Sequence, residues 1–365
     1  MAVSNYRILK SVLSNRSRFI QSYQNNQGYS PLDVELRLNW ECNANCLMCG
    51  VLDYFTKEYK KKDNLTLKEI EDLLDQLTNM GCHSITLSGG EPTLRKDLVD
   101  IVIYASQKCK LNVSLNTNGY LLEDRILEKL IQAGINSFTL SLDSPEESIH
   151  DHIRGLKGAY RRIVHTIDYL NHYIKTCPTR KIFIFINCVV LKINIQSLHL
   201  FEDFYRAHRF DHLNFSPASI GTSWDIWTTE KEELRPSIED VRQFKEMISK
   251  MFVANPEIKP DDPFGDTNEE LDKNLHVSFS NRPSTCFIPM LHTVIQCNGD
   301  VLPCCYAPDE YTIGNIRQTP FPQLWAGSAY RDFRKNCKRV NYRMCVSCKQ
   351  YEIINYRLNQ ILGGK

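Results

Sequence analysis

Three cysteines stand close together early in the chain, at Cys42, Cys46 and Cys49. Thiolates at this spacing can wrap one loop around a cubane [4Fe–4S] cluster and leave one iron without a protein ligand. An open position is typical of a metal site that reacts, whereas a structural zinc site is fully ligated. No further cysteine or histidine lies within ten residues of these three. Structural zinc would therefore lack a fourth thiolate or imidazole nearby.

A second group of cysteines occupies the C-terminal part of the chain. Of the fourteen cysteines, seven fall between Cys286 and Cys348. Cys286 and Cys304 are separated by 17 residues, and Cys345 forms a CxxC pair with Cys348. Four ligands in two halves can hold zinc or a fully ligated [4Fe–4S] cluster, and the residues alone leave both open. The segment has little hydrophobic periodicity and cannot bury much of a core of its own. We therefore expect a bound metal centre to stabilise its fold.

The elements that must position these cysteines follow a strand–helix alternation that starts at Asp33. Six runs rich in β-branched and aromatic residues predict strands, each followed by an amphipathic helix. This pattern predicts a parallel sheet closed or partly closed into a barrel, with its chemistry at the carboxyl ends of the strands. The predicted strands are Val34–Asn39, Ser84–Ser88, Asn112–Asn116, Ser137–Leu142, Ile182–Val190 and His212–Phe215. The predicted helices cover about 66–81, 96–109, 123–133, 159–175, 196–208 and, after Ser237, 238–252.

Small and polar residues follow these strands. Gly89 and Gly90 allow backbone to approach a ligand without a Cβ in the way, and Glu91 offers a carboxylate to an ammonium group. Pro92 suits the first position of a helix. The other strand-end residues considered for binding are Asn116, Ser141 and Asp143.

In this order the motifs resemble those of the radical S-adenosylmethionine (SAM) superfamily. CxxxCxxC after the first strand is its signature, and Gly89-Gly90-Glu91-Pro92 matches its GGEP motif. The resemblance implies that the open iron chelates SAM and that reductive cleavage gives a 5′-deoxyadenosyl radical, which abstracts a substrate hydrogen. It also implies an external one-electron donor such as flavodoxin or ferredoxin. The chain departs from the family at Met48, where an aromatic residue usually packs near the adenine, and Met48 is expected to fill that place.

The same resemblance assigns the remaining SAM contacts. Gly89, Gly90 and Glu91 would receive the methionyl amino group, while Asn116, Ser141 and Asp143 would line the ribose and carboxylate. The run His150-Asp151-His152-Ile153-Arg154-Gly155 resembles a segment of SPASM-type members in which the arginine, here Arg154, helps to anchor SAM.

The C-terminal segment resembles the twitch form of the SPASM domain, which binds one auxiliary [4Fe–4S] cluster. Its ligands would be Cys286, Cys304, Cys345 and Cys348, and a second auxiliary cluster is doubtful because no cysteine follows Cys348. Cys305 is a candidate hydrogen-atom donor, as in some radical SAM epimerases, against the simpler interpretation of a thiol beside a ligand.

The expected architecture is an α/β fold, a partial (β/α)6 TIM-like barrel with a small C-terminal iron–sulfur domain. The expected divisions are a basic N-terminal extension (1–33), the barrel (34–220), a linker or helical insert (221–283) and a SPASM/twitch domain with a C-terminal helix (284–365). Residues 1–32 contain no acidic residue, and the extension is interpreted as a docking helix, a substrate-recruiting arm, a transit peptide or a helix that plugs one end of the barrel.

Three functions remain open. The first is oxidation of a small sugar-like or natural-product substrate, with the substrate electron passing to the auxiliary cluster. The second is peptide maturation, by thioether formation or epimerisation, although the residues before the barrel are too few for a leader-peptide-binding domain. The third is a zinc-stapled, non-catalytic binding protein. The balance of 44 basic against 43 acidic residues disfavours nucleic acid or a membrane surface as partner. The cysteine content without a secretion signal predicts a reducing, cytoplasmic location.

Overall fold

A computed structural model of the chain describes residues 10–50, 63–218, 231–258, 260, 286–305, 307–338, 342, 355 and 358–359. Its centre is one sheet of nine strands in the order β6-β5-β4-β3-β2-β1-β7-β8-β9. The strands are β1 (Asp33–Arg37), β2 (Ser84–Ser88), β3 (Asn112–Thr117), β4 (Ser137–Ser141), β5 (Phe183–Val190), β6 (His212–Pro217), β7 (His292–Ile295), β8 (Asp300–Leu302) and β9 (Gly314–Asn315).

The helices alternate with the first six strands as the sequence predicts. They are α1 (Arg16–Gln24), α2 (Leu67–Asn79), α3 (Leu98–Ile103), α4 (Asp124–Ala133), α5 (Glu147–Arg154), α6 (Ala159–Thr176), α7 (Phe201–Ala207), α8 (Ile238–Lys250), α9 (Ile288–Leu291), α10 (Phe321–Ala326) and α11 (Ser328–Cys337). Shorter 3₁₀ turns cover Pro92–Leu94, Ile195–Leu200, Glu232–Leu234, Pro256–Ile258 and Asp309–Tyr311.

All six predicted strands are present within one or two residues, and β1 to β6 pair in parallel. Thr66 before α2 and Ser237 before α8 each form a capping box with an acidic residue three positions on. Two helix predictions need correction. The helix expected to 109 changes to a π-turn at Tyr104–Lys108, and the sequence did not predict α5.

The C-terminal segment extends the barrel sheet. β7 pairs in parallel with β1, with Asp33 opposite His292, and β8 and β9 follow as antiparallel strands. The sheet does not close: β6 and β9 are its outermost strands in the described part of the chain. The partial barrel is therefore confirmed, with a seventh parallel strand that six β/α units do not predict.

Side-chain alternation gives the sheet two different faces. The outer face carries apolar residues such as Val34, Leu36 and Ile85, which pack beneath the helices in the main core. The opposite face, called the inner face below, is largely polar, and its apolar members lie on β5. On β1 to β6 it presents Asp33, Glu35, Arg37, Ser84, Thr86, Ser88, Asn112, Ser114, Asn116, Ser137, Thr139, Ser141, Phe183, Phe185, Asn187, Val189, His212, Asn214 and Ser216.

The N-terminal helix joins the auxiliary segment. Phe19 of α1 is fully buried and packs at a centroid distance of 5.5 Å from the ring of Phe287, next to Cys286. The backbone N–H of Tyr29 donates to the carbonyl of Met290. Residues before β1 thus form part of the packing around Cys286, and the four interpretations of the extension stay predictions.

Candidate functional site

The loop after β1 carries the three clustered cysteines and is held by α5. The backbone N–H of Asn45 donates to the carbonyl of Arg154 at 3.1 Å, and that of Leu47 donates to Ile153 at 2.8 Å. Gly155 ends α5 at φ +56°, and a Cβ there would lie 2.3 Å from the carbonyl oxygen of Asn45. A glycine is required at this position by both its backbone conformation and the close approach of the loop.

The cysteine side chains differ in their environment. Cys46 is buried, while Cys42 and Cys49 are half-buried. Burial raises the pKa of Cys42 to about 11 and also raises the pKa of Cys46. These thiols are therefore protonated near neutral pH, and metal binding must release their protons.

The GGEP turn lies directly against the backbone that leads into the cysteine loop. The N–H of Gly90 donates to the carbonyl of Asn39 at 2.8 Å, and the N–H of Glu91 donates to that of Glu41 at 2.7 Å. A Cβ on either glycine would stand 2.3 Å from one of these carbonyl oxygens. The glycines thus permit a close backbone approach, although the neighbour seen here is the chain itself.

Glu91 is 1% exposed and joins three strand ends. Its Oε1 accepts from the hydroxyl of Thr117 at 2.7 Å and from both donors of Thr93, and its Oε2 accepts from the N–H of Asn118 at 2.8 Å. Burial raises the pKa of Glu91, although the hydrogen bonds that its carboxylate accepts from these donors act to lower the pKa. Asn118 in turn donates to Asn43 of the cysteine loop at 2.8 Å. The role of Glu91 toward an ammonium group stays a prediction, and the structure adds a role in aligning the loops.

Asp143 and Arg154 form a buried ion pair behind Cys46. Arg154 Nε lies 2.6 Å from Asp143 Oδ2, and its Nη1 donates to Cys46 Sγ at 3.8 Å. Asp143 is fully buried, and burial raises its pKa while Arg154 opposes that rise. The backbone N–H of Asp143 donates to Nδ1 of buried His150, and Asn194 donates to the carbonyl of Asp143 at 2.6 Å. Sequence reasoning named His150 only as part of the run that ends at Arg154 and Gly155, without a role, and it missed Asn194, which belongs to no short motif.

The remaining predicted SAM residues lie at the carboxyl edge of the sheet. Asn116 on β3 and Ser141 on β4 are half-buried on the inner face. Met48 is buried in an apolar cluster with Cys46, Ile153 and residues of other elements. That cluster also contains Val189 at the end of β5. The structure therefore brings the cysteine loop and these residues to one edge.

The C-terminal cysteines lie at the other end of the sheet. Cys286 precedes α9 and β7, and Cys304 follows β8, which runs antiparallel to β7. These strand directions place both cysteines beyond the amino edge, whereas the cysteine loop follows the carboxyl edge. The five residues of β1 separate the edges by roughly 13 Å.

Cys286, Cys304, Cys305 and Cys337 belong to one cluster with Phe333. Asn355 donates to Cys286 Sγ at 3.5 Å. Cys345 and Cys348 lie outside the described residues. Of the four predicted ligands of the auxiliary cluster, the structure therefore describes only Cys286 and Cys304. Cys305 lies on the auxiliary side, far along the sheet from the cysteine loop, and its hydrogen-donor role stays a prediction.

An open, largely parallel α/β sheet with three cysteines on one loop at its carboxyl edge and further cysteines beyond its amino edge is an arrangement that an iron–sulfur protein of the α/β class would have. The profile of the radical SAM superfamily matches residues 41–204, and that of the SPASM iron–sulfur cluster-binding domain matches residues 286–349. The chain therefore belongs to the radical SAM superfamily and carries a C-terminal SPASM domain.

Individual relatives agree with this assignment. An AdoMet-dependent heme synthase of Methanosarcina barkeri is 26% identical over 337 residues, which cover 88% of this chain and 91% of the relative. The mycofactocin maturase MftC of Mycolicibacterium smegmatis is 26% identical over 339 residues, which cover 88% of this chain and 77% of the relative. The solved structure of Streptococcus suis SuiB bound to precursor peptide SuiA shares the fold at 18% identity and a TM-score of 0.66, covering 95% of this chain and 77% of that chain.

The protein is thus a radical SAM enzyme that uses SAM and [4Fe–4S] clusters. The donor set fits these groups: three thiols on one loop, glycines beside that loop, and a buried guanidinium at Cys46. In the described part of the chain, no helix is long and apolar enough to cross a membrane.

Proposed function

We propose that this enzyme oxidises a small, polar, hydroxyl-bearing substrate held on the inner face of the sheet between its two iron–sulfur sites. SAM and its cluster supply hydrogen-atom abstraction, and the auxiliary cluster supplies an electron acceptor. The observation that carries the proposal is the composition of the inner face. Serine, threonine and asparagine side chains occur on this face from β2 to β6, beside Glu35 and Arg37 of β1 and next to Phe183 and Phe185 of β5.

These side chains are accessible as well as polar. Thr86, Ser114 and Thr139 are half-buried although they lie in the middle of the sheet. Asn214 is exposed on the outermost strand β6 and donates to Asn187 at 2.6 Å and to Ser216 at 3.0 Å. A substrate with hydroxyl or amide groups can replace water at such positions, whereas an apolar ring system would leave their hydrogen bonds unmade.

Oxidation of an alcohol also requires a group that takes the hydroxyl proton. Glu35 on β1 is the acidic residue at mid-depth of the inner face, and it accepts from Ser88 at 2.7 Å and from Arg37 at 3.1 Å. Burial opposes its ionisation, but Arg37, Ser88 and His292 together hold the pKa of Glu35 below its usual value. The carboxylate is therefore ionised at neutral pH and is available as a proton acceptor.

Peptide maturation is the second candidate, favoured by the similarity to the mycofactocin maturase over 88% of this chain. An extended peptide would also meet the polar inner face, through its backbone amides. Cys305 would then be considered as a hydrogen donor, but its place among the auxiliary cysteines favours a role beside a cluster ligand.

The test is a substrate survey with the anaerobically reconstituted holoenzyme, SAM and dithionite. The arms are a panel of monosaccharides and aminocyclitols, a panel of linear peptides, and Fe-coproporphyrin III, which represents the tetrapyrrole chemistry of the relatives named heme synthase and Fe-coproporphyrin III synthase. The proposal expects 5′-deoxyadenosine to rise above background only with the first panel, in step with a carbonyl product. A rise confined to the peptide arm would establish the second candidate instead, and a rise confined to coproporphyrin would refute both.

A variant with Cys286 and Cys304 replaced by alanine separates the two half-reactions. It should still form 5′-deoxyadenosine with the accepted substrate but yield much less carbonyl product. Equal yields would remove the auxiliary site from the reaction.

A further inference from the structure

The side chain of Arg154 is buried against a cysteine of the SAM-cluster loop. The residue is 8% exposed, and Nη1 donates to Cys46 Sγ at 3.8 Å. Among the described residues its carboxylate partner is Asp143, 2.6 Å from Nε. A buried charge is costly unless it is paired, so this arrangement must be maintained by the surrounding structure.

The surroundings fix both members of the pair. Arg154 ends α5, whose last carbonyls accept from the backbone of the cysteine loop at Asn45 and Leu47. The carboxylate of Asp143 accepts from the backbone N–H of Val189 at 2.9 Å through its other oxygen. The guanidinium is therefore positioned by backbone contacts on one side and by its counter-ion on the other.

We propose that Arg154 sets the reduction potential of the SAM-binding cluster through Cys46, and that Asp143 limits this effect. A cation that donates a hydrogen bond to a cluster sulfur stabilises the reduced cluster, because reduction adds a negative charge to it. The cation therefore makes the reduction potential more positive. The nearby Asp143 carboxylate partly cancels that stabilisation. Arg154 is thus a positioning and electrostatic residue, and this role does not depend on the identity of the substrate.

The proposal predicts opposite changes for the two members of the ion pair. Arg154→Gln removes the cation and should make the midpoint potential more negative. Asp143→Asn removes the anion and should make it more positive. A tenfold change in the reduction equilibrium corresponds to 59 mV for one electron, and we expect each shift to reach at least that size.

The measurement is a redox titration of the holoenzyme without SAM, followed by electron paramagnetic resonance. The relevant signal is the one lost when Cys42, Cys46 and Cys49 are all replaced by alanine. Because SAM is absent, a contact of Arg154 with SAM cannot produce the shift. Arg161→Gln is the matched control: this exposed arginine of α6 pairs with Glu147 at 2.7 Å, and its loss should leave the potential unchanged.

Potentials that move in opposite directions support the proposal, and shifts that are absent or of the same sign overturn it. If Arg154→Gln fails to hold the cluster, Arg154→Lys replaces it, with a smaller negative shift expected because the ammonium cannot reach both partners in the same way.

Discussion

Glu91 and Asn118 are joined by a hydrogen bond of 2.8 Å from the backbone of Asn118 to the carboxylate, which connects the turn after β2 to the turn after β3. Asn118 continues the connection to Asn43 on the cysteine loop. Three successive strand ends are therefore held in one network, and the loop for the cluster is positioned by residues far away in sequence.

Replacing Glu91 with glutamine should weaken this network, because an amide NH2, which donates hydrogen bonds, replaces one of the two carboxylate oxygens that accept them. Leaving one of these buried donors unpaired should cost about 1–3 kcal/mol of unfolding free energy. We also expect at least tenfold weaker SAM binding, measured by calorimetry on the reconstituted enzyme. Glu128→Gln, on the exposed side of α4, should change neither quantity. Unaltered SAM affinity in Glu91→Gln would contradict the role of this network.

Replacing Gly155 with alanine should disrupt docking of the cysteine loop. Its Cβ would lie 2.3 Å from the Asn45 carbonyl oxygen, in addition to the strain of φ +56°. Gly158→Ala is a close control, since it has φ +81° with nothing within 4 Å of the added carbon. It should cost only about 1 kcal/mol of stability. Iron analysis should show loss of the N-terminal cluster in Gly155→Ala alone.

The two cysteine groups should contribute separately to the iron content. Wild-type enzyme should contain about eight irons and eight acid-labile sulfides per chain, the content of two cubane clusters. Replacement of Cys42, Cys46 and Cys49 by alanine should leave about four of each. If wild type holds four and the variant none, the C-terminal cysteines carry no cluster.

Replacing Glu35 with glutamine should separate hydrogen abstraction from product formation. Formation of 5′-deoxyadenosine with an accepted substrate should persist, while carbonyl product should fall at least tenfold because the proton acceptor is lost. Thr86→Val alters the residue opposite Glu35 on β2 without removing a proton acceptor, so it should retain the ratio of the two products. Thermal unfolding checks that Glu35→Gln is folded. A parallel fall of both products would argue against a proton-acceptor role.

The ion pair between Glu69 and Arg317 links α2 to the C-terminal segment. The hydrogen bond from Arg317 is the largest influence that lowers the pKa of Glu69, to about 2. A lowered pKa in the folded state stabilises the protein above the unfolded value, about 4.3, and this contribution disappears as the pH falls toward 2.

Glu69→Gln should therefore reduce the unfolding free energy by about 1 kcal/mol or less, since both side chains are partly exposed. The difference from wild type should be constant between pH 5.5 and 8 in denaturant titrations, and smaller at high salt. A difference that changes across this pH range would show that another titrating group is involved.

Much of the site could be predicted from sequence, because its signals are local. Three cysteines in eight residues, a GGEP turn and capping boxes at Thr66 and Ser237 each depend on near neighbours in the chain. The period-2 alternation of the six strands likewise reports which side chains face the helices.

Tertiary structure decided the features that depend on distant pairing. Only the fold shows that β7 pairs with β1, which puts the two cysteine groups beyond opposite edges of one sheet. It also brings Asp143 and Arg154, on different elements, to the buried side of Cys46. Neither arrangement has a sequence signal, because hydrogen bonding between strands and ion pairing in the interior depend on which elements meet in space. The sequence by itself determined the chemistry that the chain can carry, and the packing of its elements determined how that chemistry is arranged.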